Sequence, residues 1–200
     1  MKNCINFLLI TLFLFQTARA QDGTLLKNLQ DKFNSIKDFS ADFIQLNNGR
    51  VNLEGKLFFK KENKLRLELK NLIIVSDGKT NWNYNKKQKK VMISNYDENN
   101  SSVLSLKRLI FDYPAKCEIL KNPEDKNDVL ALKPKAGSGI NADLIKIWVD
   151  KDYNVDKVSL IESSGTVLEV KFSNYKINTG ISNSEFSFTP PQGIKIIDLR

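Results

Sequence analysis

Residues 72–94 read LIIVSDGKTNWNYNKKQKKVMIS. The stretch has the pattern of strand, tight turn, strand, longer turn, strand. A period of two puts Trp82 and Tyr84 on one face of the middle strand and Asn81, Asn83 and Asn85 on the other. Asp77-Gly78 supplies the tight turn and sets the register of the strands on either side. Three short strands with turn residues between them imply an antiparallel meander.

The same pattern extends in both directions. Upstream, alternation begins at Phe39-Ser-Ala41-Asp-Phe43 and continues through 51–61 and 64–70, clearest where Leu65, Leu67 and Leu69 alternate with Arg66, Glu68 and Lys70. Downstream, strands are expected at 115–121, 128–134, 142–150, 155–162, 166–178 and 185–189, with a short edge at 194–197. About eleven strands are too many for a flat open sheet, so the sheet should curl. Two segments break the pattern. Leu25, Leu26, Leu29, Phe33 and Ile36 recur at helical spacing and predict a helix over 22–37, with Asp22 or Thr24 at its cap. Residues 101–112 predict a second, short helix that stops before Tyr113-Pro114. The expected fold is mainly β with α: an incomplete, half-open antiparallel β-barrel whose concave face is covered by short helices. Sheet and helices enclose either a packed core or a cavity; composition does not separate the two.

The chain has 200 residues. Its start, Met1-Lys2-Asn3, is followed by an apolar run from Ile5 to Phe15 and by Ala18-Arg19-Ala20. That is the pattern of a secretory signal peptide cleaved after Ala20, and the run is shorter than a bilayer span. Residues 1–20 are therefore read as a leader and 21–200 as one domain. Cleavage removes Lys2 and Arg19 from 31 basic residues and leaves 29 against 23 acidic ones, a net charge of +6. Most of that charge is lysine scattered along strand faces, without the clustered arginine and aromatic residues of a nucleic-acid surface. Cys117 alone remains after cleavage, so no internal disulfide forms.

The sequence contains no histidine, which removes Ser-His-Asp and Cys-His catalysis and every histidine-containing zinc site. Asp150, Asp152, Asn154 and Asp156 resemble the start of a calcium loop, but Val155 stands where glycine is needed and Ile161 where a bidentate glutamate is needed. A polar hairpin turn is the simpler reading. Gly137-Ser138-Gly139 lacks the lysine of a phosphate loop. Glu124, Asp125 and Asp128 fall in a polar stretch around Pro123 that suggests a solvated loop, not a desolvated acid–base pair. Neither an enzyme nor a cofactor or metal is expected. What is left is binding of an apolar ligand: a buried methylene is worth about 0.8 kcal/mol, so acyl chains crossing water need a shield.

Four segments resemble the LolA family of periplasmic lipoprotein carriers. They are Phe39-Ser-Ala41-Asp-Phe43-Ile-Gln45, Ile74 to Asn85 with Asp77-Gly78-Lys79 at its turn, Leu132-Lys-Pro134-Lys-Ala136, and Phe186-Ser-Phe188-Thr189-Pro190-Pro191-Gln-Gly193-Ile194. Their order and spacing agree across the mature chain. The resemblance implies a periplasmic monomer that takes acylated lipoproteins from an inner-membrane ABC transporter and gives them to an outer-membrane acceptor. It implies a cavity lined by Phe33, Phe39, Phe43, Leu65, Leu67 and Trp82, under a lid carrying Leu104, Leu109 and Ile110. The face on which Trp82 lies stays open at this stage. One departure concerns the turn after the second strand. The family commonly has Arg-Pro there, whereas this chain has Lys60-Lys61-Glu62-Asn63, so a latch made by Lys61 lacks the planar fork of a guanidinium. The competing readings are a lipid-sensing envelope-stress regulator or general lipid carrier on the same scaffold, and a lipid-active enzyme.

Overall fold

The computed structural model describes residues 17–97, 106–120 and 128–200, with side chains from residue 23 onward. Glu124, Asp125 and Leu104 lie outside the described residues, as does most of the expected leader. The described chain opens with helix α1 (Thr17–Ser35). Six strands follow: β1 (Asp38–Asn47), β2 (Arg50–Lys60), β3 (Lys64–Leu69), β4 (Leu72–Asp77), β5 (Thr80–Asn85) and β6 (Lys90–Asn95). A π-helical turn (Arg108–Asp112) runs directly into the short helix α2 (Tyr113–Lys116). Then come β7 (Cys117–Leu120), β8 (Val129–Pro134), β9 (Leu144–Val149), β10 (Val155–Ile161) and β11 (Val167–Ile177), a 3-10 turn (Asn183–Phe186) and β12 (Lys195–Asp198).

The twelve described strands form one sheet in the order β12-β6-β5-β4-β3-β2-β1-β11-β10-β9-β8-β7. Every described pairing is antiparallel except the last: β12 returns parallel to β6. The sheet does not close on itself, and the fold is the expected open barrel. Register shifts between Ser40 and Asp42 against β11, and between Val155 and Lys157 against β9, mark bulges, which increase local twist and help the sheet to curl. Within the first bulge Asn174 adopts φ +55°, and its side-chain amide donates to Asp42 Oδ2 at 2.7 Å.

Turn chemistry sets the hairpins. Gly78 has φ +91°, and a Cβ there would sit 2.3 Å from the Glu62 carbonyl oxygen, so only glycine fits. Asp77 Oδ1 accepts from the backbone N–H groups of Lys79 and Thr80 at 2.8 and 2.7 Å, closing the turn between β4 and β5. The α1–β1 junction is tied down by the far end of β11. The buried Asp38 carboxylate accepts from the backbone N–H groups of Thr179 and Gly180, and Asn178 Oδ1 accepts from Lys37 N at 2.6 Å.

Three expected elements differ. The first helix runs Thr17–Ser35, so Asp22 and Thr24 lie inside it and do not cap it, and it ends before Ile36. Residues 185–189 are not a strand. Ser182 Oγ accepts from Ser184 N and starts a 3-10 turn, and Pro190-Pro191 follows. The second helix does not stop before Tyr113-Pro114; it continues to Lys116 with Pro114 in the first turn of α2, where a missing N–H is tolerated. Pro114 offers no N–H to the Ile110 carbonyl four residues earlier. Gln30 Nε2 of α1 donates to that carbonyl at 3.1 Å.

Candidate functional site

The main core lies on the face of the sheet that α1 covers, the inner face. From α1 come Leu25 and Leu29, with Ile36 just past its end, and from the second helical segment Leu106, Leu109 and Ile110. The sheet supplies Phe39, Ala41 and Phe43 of β1, Leu57 of β2, Leu67 of β3, Phe172 of β11 and the alternate residues of β7 to β10. The periodicity explains this set: one residue in two along each strand, and one stripe along α1. Each helix is narrow and covers several strands, so the sheet contributes most of the apolar wall.

Phe33, Phe39, Phe43, Leu65 and Leu67 all lie on this inner face, as do Leu109 and Ile110 of the helical cover. An aromatic cluster forms where α1 meets the sheet. The Phe33 ring centroid is 5.6 Å from that of Phe59 and 5.9 Å from that of Phe111, and Phe39 lies 5.3 Å from Phe59 and 6.0 Å from Tyr175. Phe59 and Phe111 are absent from the sequence-derived site. Phe59 was readable, since it continues the Leu57 alternation and pairs with Phe39 across β1 and β2 on the same face.

Trp82 is a correction. Strand register places Phe58, Arg66, Val75, Trp82 and Ile93 in one row across β2 to β6, on the opposite side of the sheet from Leu57 and Leu67. On this outer side the 3-10 turn packs over β3 and β4 and buries Phe186, and Phe188 stacks 5.4 Å from Tyr84. Arg66 Nη1 donates to the Glu185 carbonyl and Lys60 Nζ to that of Ile181, strapping the segment down. Trp82 therefore belongs to a second, smaller apolar cluster built by the C-terminal segment. The buried side of the sheet inverts across β4. Val75 on the outer face is 0% exposed, whereas Met92 on the inner face of β6 is 39% exposed.

Leu29, Phe33, Ile36, Phe39, Leu106, Ile110, Val155 and Tyr175 surround a cavity of about 20 Å³. That is no more than room for one water. A bulky guest fits this cavity only if α1 moves away from the sheet. At the end of α1, Lys61 Nζ donates to the Asn34 carbonyl at 2.8 Å and Asn178 Nδ2 donates to the Ser35 carbonyl at 3.4 Å. A lysine there also complements the negative end of the helix dipole. Both Lys61 and Asn34 are exposed, so the bond is weak and easily exchanged for water.

The groups that sequence reading set aside as chemistry have structural places. Asp150 Oδ1 accepts from the N–H groups of Asp152 and Asn154 in the β9–β10 hairpin turn. Burial opposes its ionisation, but these bonds, the Asn154 amide and the nearby Lys32 hold its carboxyl below the usual range. Tyr175 donates its phenol proton to the Val155 carbonyl; burial, and then the charges of Asp150 and Asp156, push that phenol well above its ordinary range. Burial also pushes the Cys117 thiol up, against a small opposing effect of Lys135, so the thiol stays protonated. Among the described residues no three potential metal ligands come together, and no helix is long and apolar enough to cross a membrane.

Comparison with known proteins agrees with this geometry. The chain is 26% identical to the outer-membrane lipoprotein carrier protein of Klebsiella pneumoniae (strain 342), over 86% of this chain and 87% of that one. It is equally identical, over 96% of its length, to an uncharacterized protein of Methanocaldococcus jannaschii, but spans only 60% of that protein. In fold it is similar to an uncharacterized conserved protein from Thermus thermophilus, with a TM-score of 0.57 at 12% identity, covering 88% of this chain and 98% of the other. The family profile described as outer membrane lipoprotein carrier protein LolA matches residues 34–189, from the end of α1 to the segment over the outer face, and the chain belongs to the LolA family.

Proposed function

We propose that residues 21–200 form a single-domain, non-enzymatic periplasmic carrier, exported by the leader 1–20, that holds the acyl chains of lipoproteins and carries them from the inner to the outer membrane. One observation carries the reading. The inner wall is apolar from β7 through β11 to β3, and the apolar faces of α1 and of the second helical segment close over it. In this reading Phe33, Phe39, Phe43, Leu65 and Leu67 line the acyl site. Leu109 and Ile110 move with the cover, and Lys61 holds the end of α1. Trp82 takes no part.

The energetics suit a carrier. An acyl chain gains about 0.8 kcal/mol per methylene on leaving water. Opening the cover exposes Leu29, Ile110 and their neighbours, and the entering chain restores that burial. The net grip is the difference between two similar apolar contacts, which favours loose holding and release. An ABC transporter in the inner membrane as donor, an outer-membrane acceptor and a monomeric state complete the proposal. Depletion of the protein followed by envelope fractionation tests it. Outer-membrane lipoproteins are expected to accumulate at the inner membrane. Undisturbed delivery would refute the shuttle role.

A further inference from the structure

The inner face has a second zone that the core does not use. One row of paired residues runs Ala41, Leu57, Leu67, Ile74, Asn83 and Met92 from β1 to β6. Along it Leu57 and Leu67 are buried, Ile74 is half-buried, and Asn83 and Met92 are exposed. The neighbouring row runs Phe59, Leu65, Ser76, Asn81 and Ser94. Both rows thus change from apolar to polar on reaching β4 and β5. The side chains of Asn81 and Asn83 make no hydrogen bond to any other described residue. Asn85 differs, because its Oδ1 accepts from Gln88 N in the next turn.

We propose that the inner face of β5 and β6 is a shelf for the main chain of the acylated polypeptide, namely the residues directly after the lipidated one. The proposal rests on the carrier reading above and adds a peptide subsite to it. The acyl chains occupy the apolar part of the rows, and the amide groups next to them cannot follow. Burying an unpaired amide costs roughly 2–7 kcal/mol. The polypeptide therefore leaves the apolar wall where polar groups begin, at Asn81 and Asn83. A carboxamide offers both donors and an acceptor, the complement of a peptide N–H and C=O. It carries no charge, so it reads main chain and not the sign of a side chain. Met92, one strand further, gives an unbranched apolar contact that adapts to different residues. The combination tolerates many cargo sequences. The shelf is free to serve this purpose because Phe186 and its neighbours fill the opposite side of the same strands.

The test compares two ligands on the mature chain. One is a lipopeptide, an S-diacylglyceryl cysteine followed by five neutral residues; the other is a diacylglycerol with the same chains. Wild type should bind the lipopeptide about tenfold more tightly. The Asn81→Ala/Asn83→Ala variant should lose about tenfold for the lipopeptide and nothing for the diacylglycerol. A photoreactive residue placed second after the lipidated cysteine should cross-link to β5 or β6. Equal wild-type affinities, equal loss for both ligands in the variant, or cross-links to the β1–β2 hairpin would overturn the shelf. If neither ligand binds wild type, the carrier reading falls and the shelf with it.

Discussion

Replacing Phe39 by alanine is expected to destabilise the fold by about 3–5 kcal/mol, the usual cost of deleting a buried aromatic ring. Phe39 is 2% exposed and sits between Phe59 and Tyr175 beneath α1. Its removal leaves a cavity at the point where helix and sheet meet. Domains are commonly stable by only about 5–15 kcal/mol, so the variant comes close to unfolding. The melting temperature of a chain of this length should fall by roughly 2–4 °C for each kcal/mol lost. Phe39→Leu keeps most of the volume and should cost less than about 1.5 kcal/mol. Urea unfolding of the three proteins separates these values. A loss below about 1 kcal/mol for Phe39→Ala would mean that the inner wall is loosely filled, contrary to the geometry.

Phe186→Ala should also cost about 3–5 kcal/mol, and for the same physical reason, but on the other side of the sheet. Phe186 is 1% exposed and belongs to the segment strapped over β3 and β4 by Arg66. The two clusters share the sheet but no side-chain face. Their effects should therefore add to within about 0.5 kcal/mol in the double variant. The functional consequences differ. Phe39→Leu alters the wall proposed to take acyl chains, whereas Phe186→Ala leaves that wall intact. Affinity for a fluorescent acyl probe, measured where both variants remain folded, should change for the first and stay within about twofold for the second. Hydrogen exchange should show Phe186→Ala loosening residues 181–198 and the outer side of β3 to β6. Loss of acyl binding in that variant would tie the outer cluster to the site and contradict the division described above.

The elements were largely legible because their physics is local. Leu65-Arg66-Leu67-Glu68-Leu69 can bury one face only as a strand, and Leu25, Leu29 and Phe33 meet only on a helix. The Asp77-Gly78 turn and the Asp150 hairpin follow from side chains that bond their own backbone. The face of Trp82 was not legible for a specific reason. β4 reads Leu72-Ile73-Ile74-Val75, apolar on both sides, so alternation cannot show which side is shared with the core. That same run was the available signal. A strand apolar on both faces has packing on both, and β4 is where burial passes from the inner to the outer side. Pro114 misled by the general rule that proline ends helices, although its place in the first turn of a new helix is permitted. The parallel return of β12 depends on the path of residues 178–194 around the sheet, which no local pattern encodes. The contact of Lys61 with Asn34 depends in turn on where α1 ends above the β2–β3 turn.

In the proposed function the apolar wall between α1 and β1–β3 receives the acyl chains of a lipoprotein. Native mass spectrometry of the protein purified from the periplasm of its own cells tests this most directly. The expected spectrum contains, beside the protein alone, a species heavier by one acylated polypeptide, which is released when Leu67 is replaced by aspartate on the inner wall. A spectrum with free lipid as its sole adduct, or with no adduct under conditions that preserve such complexes in other carriers, would contradict it.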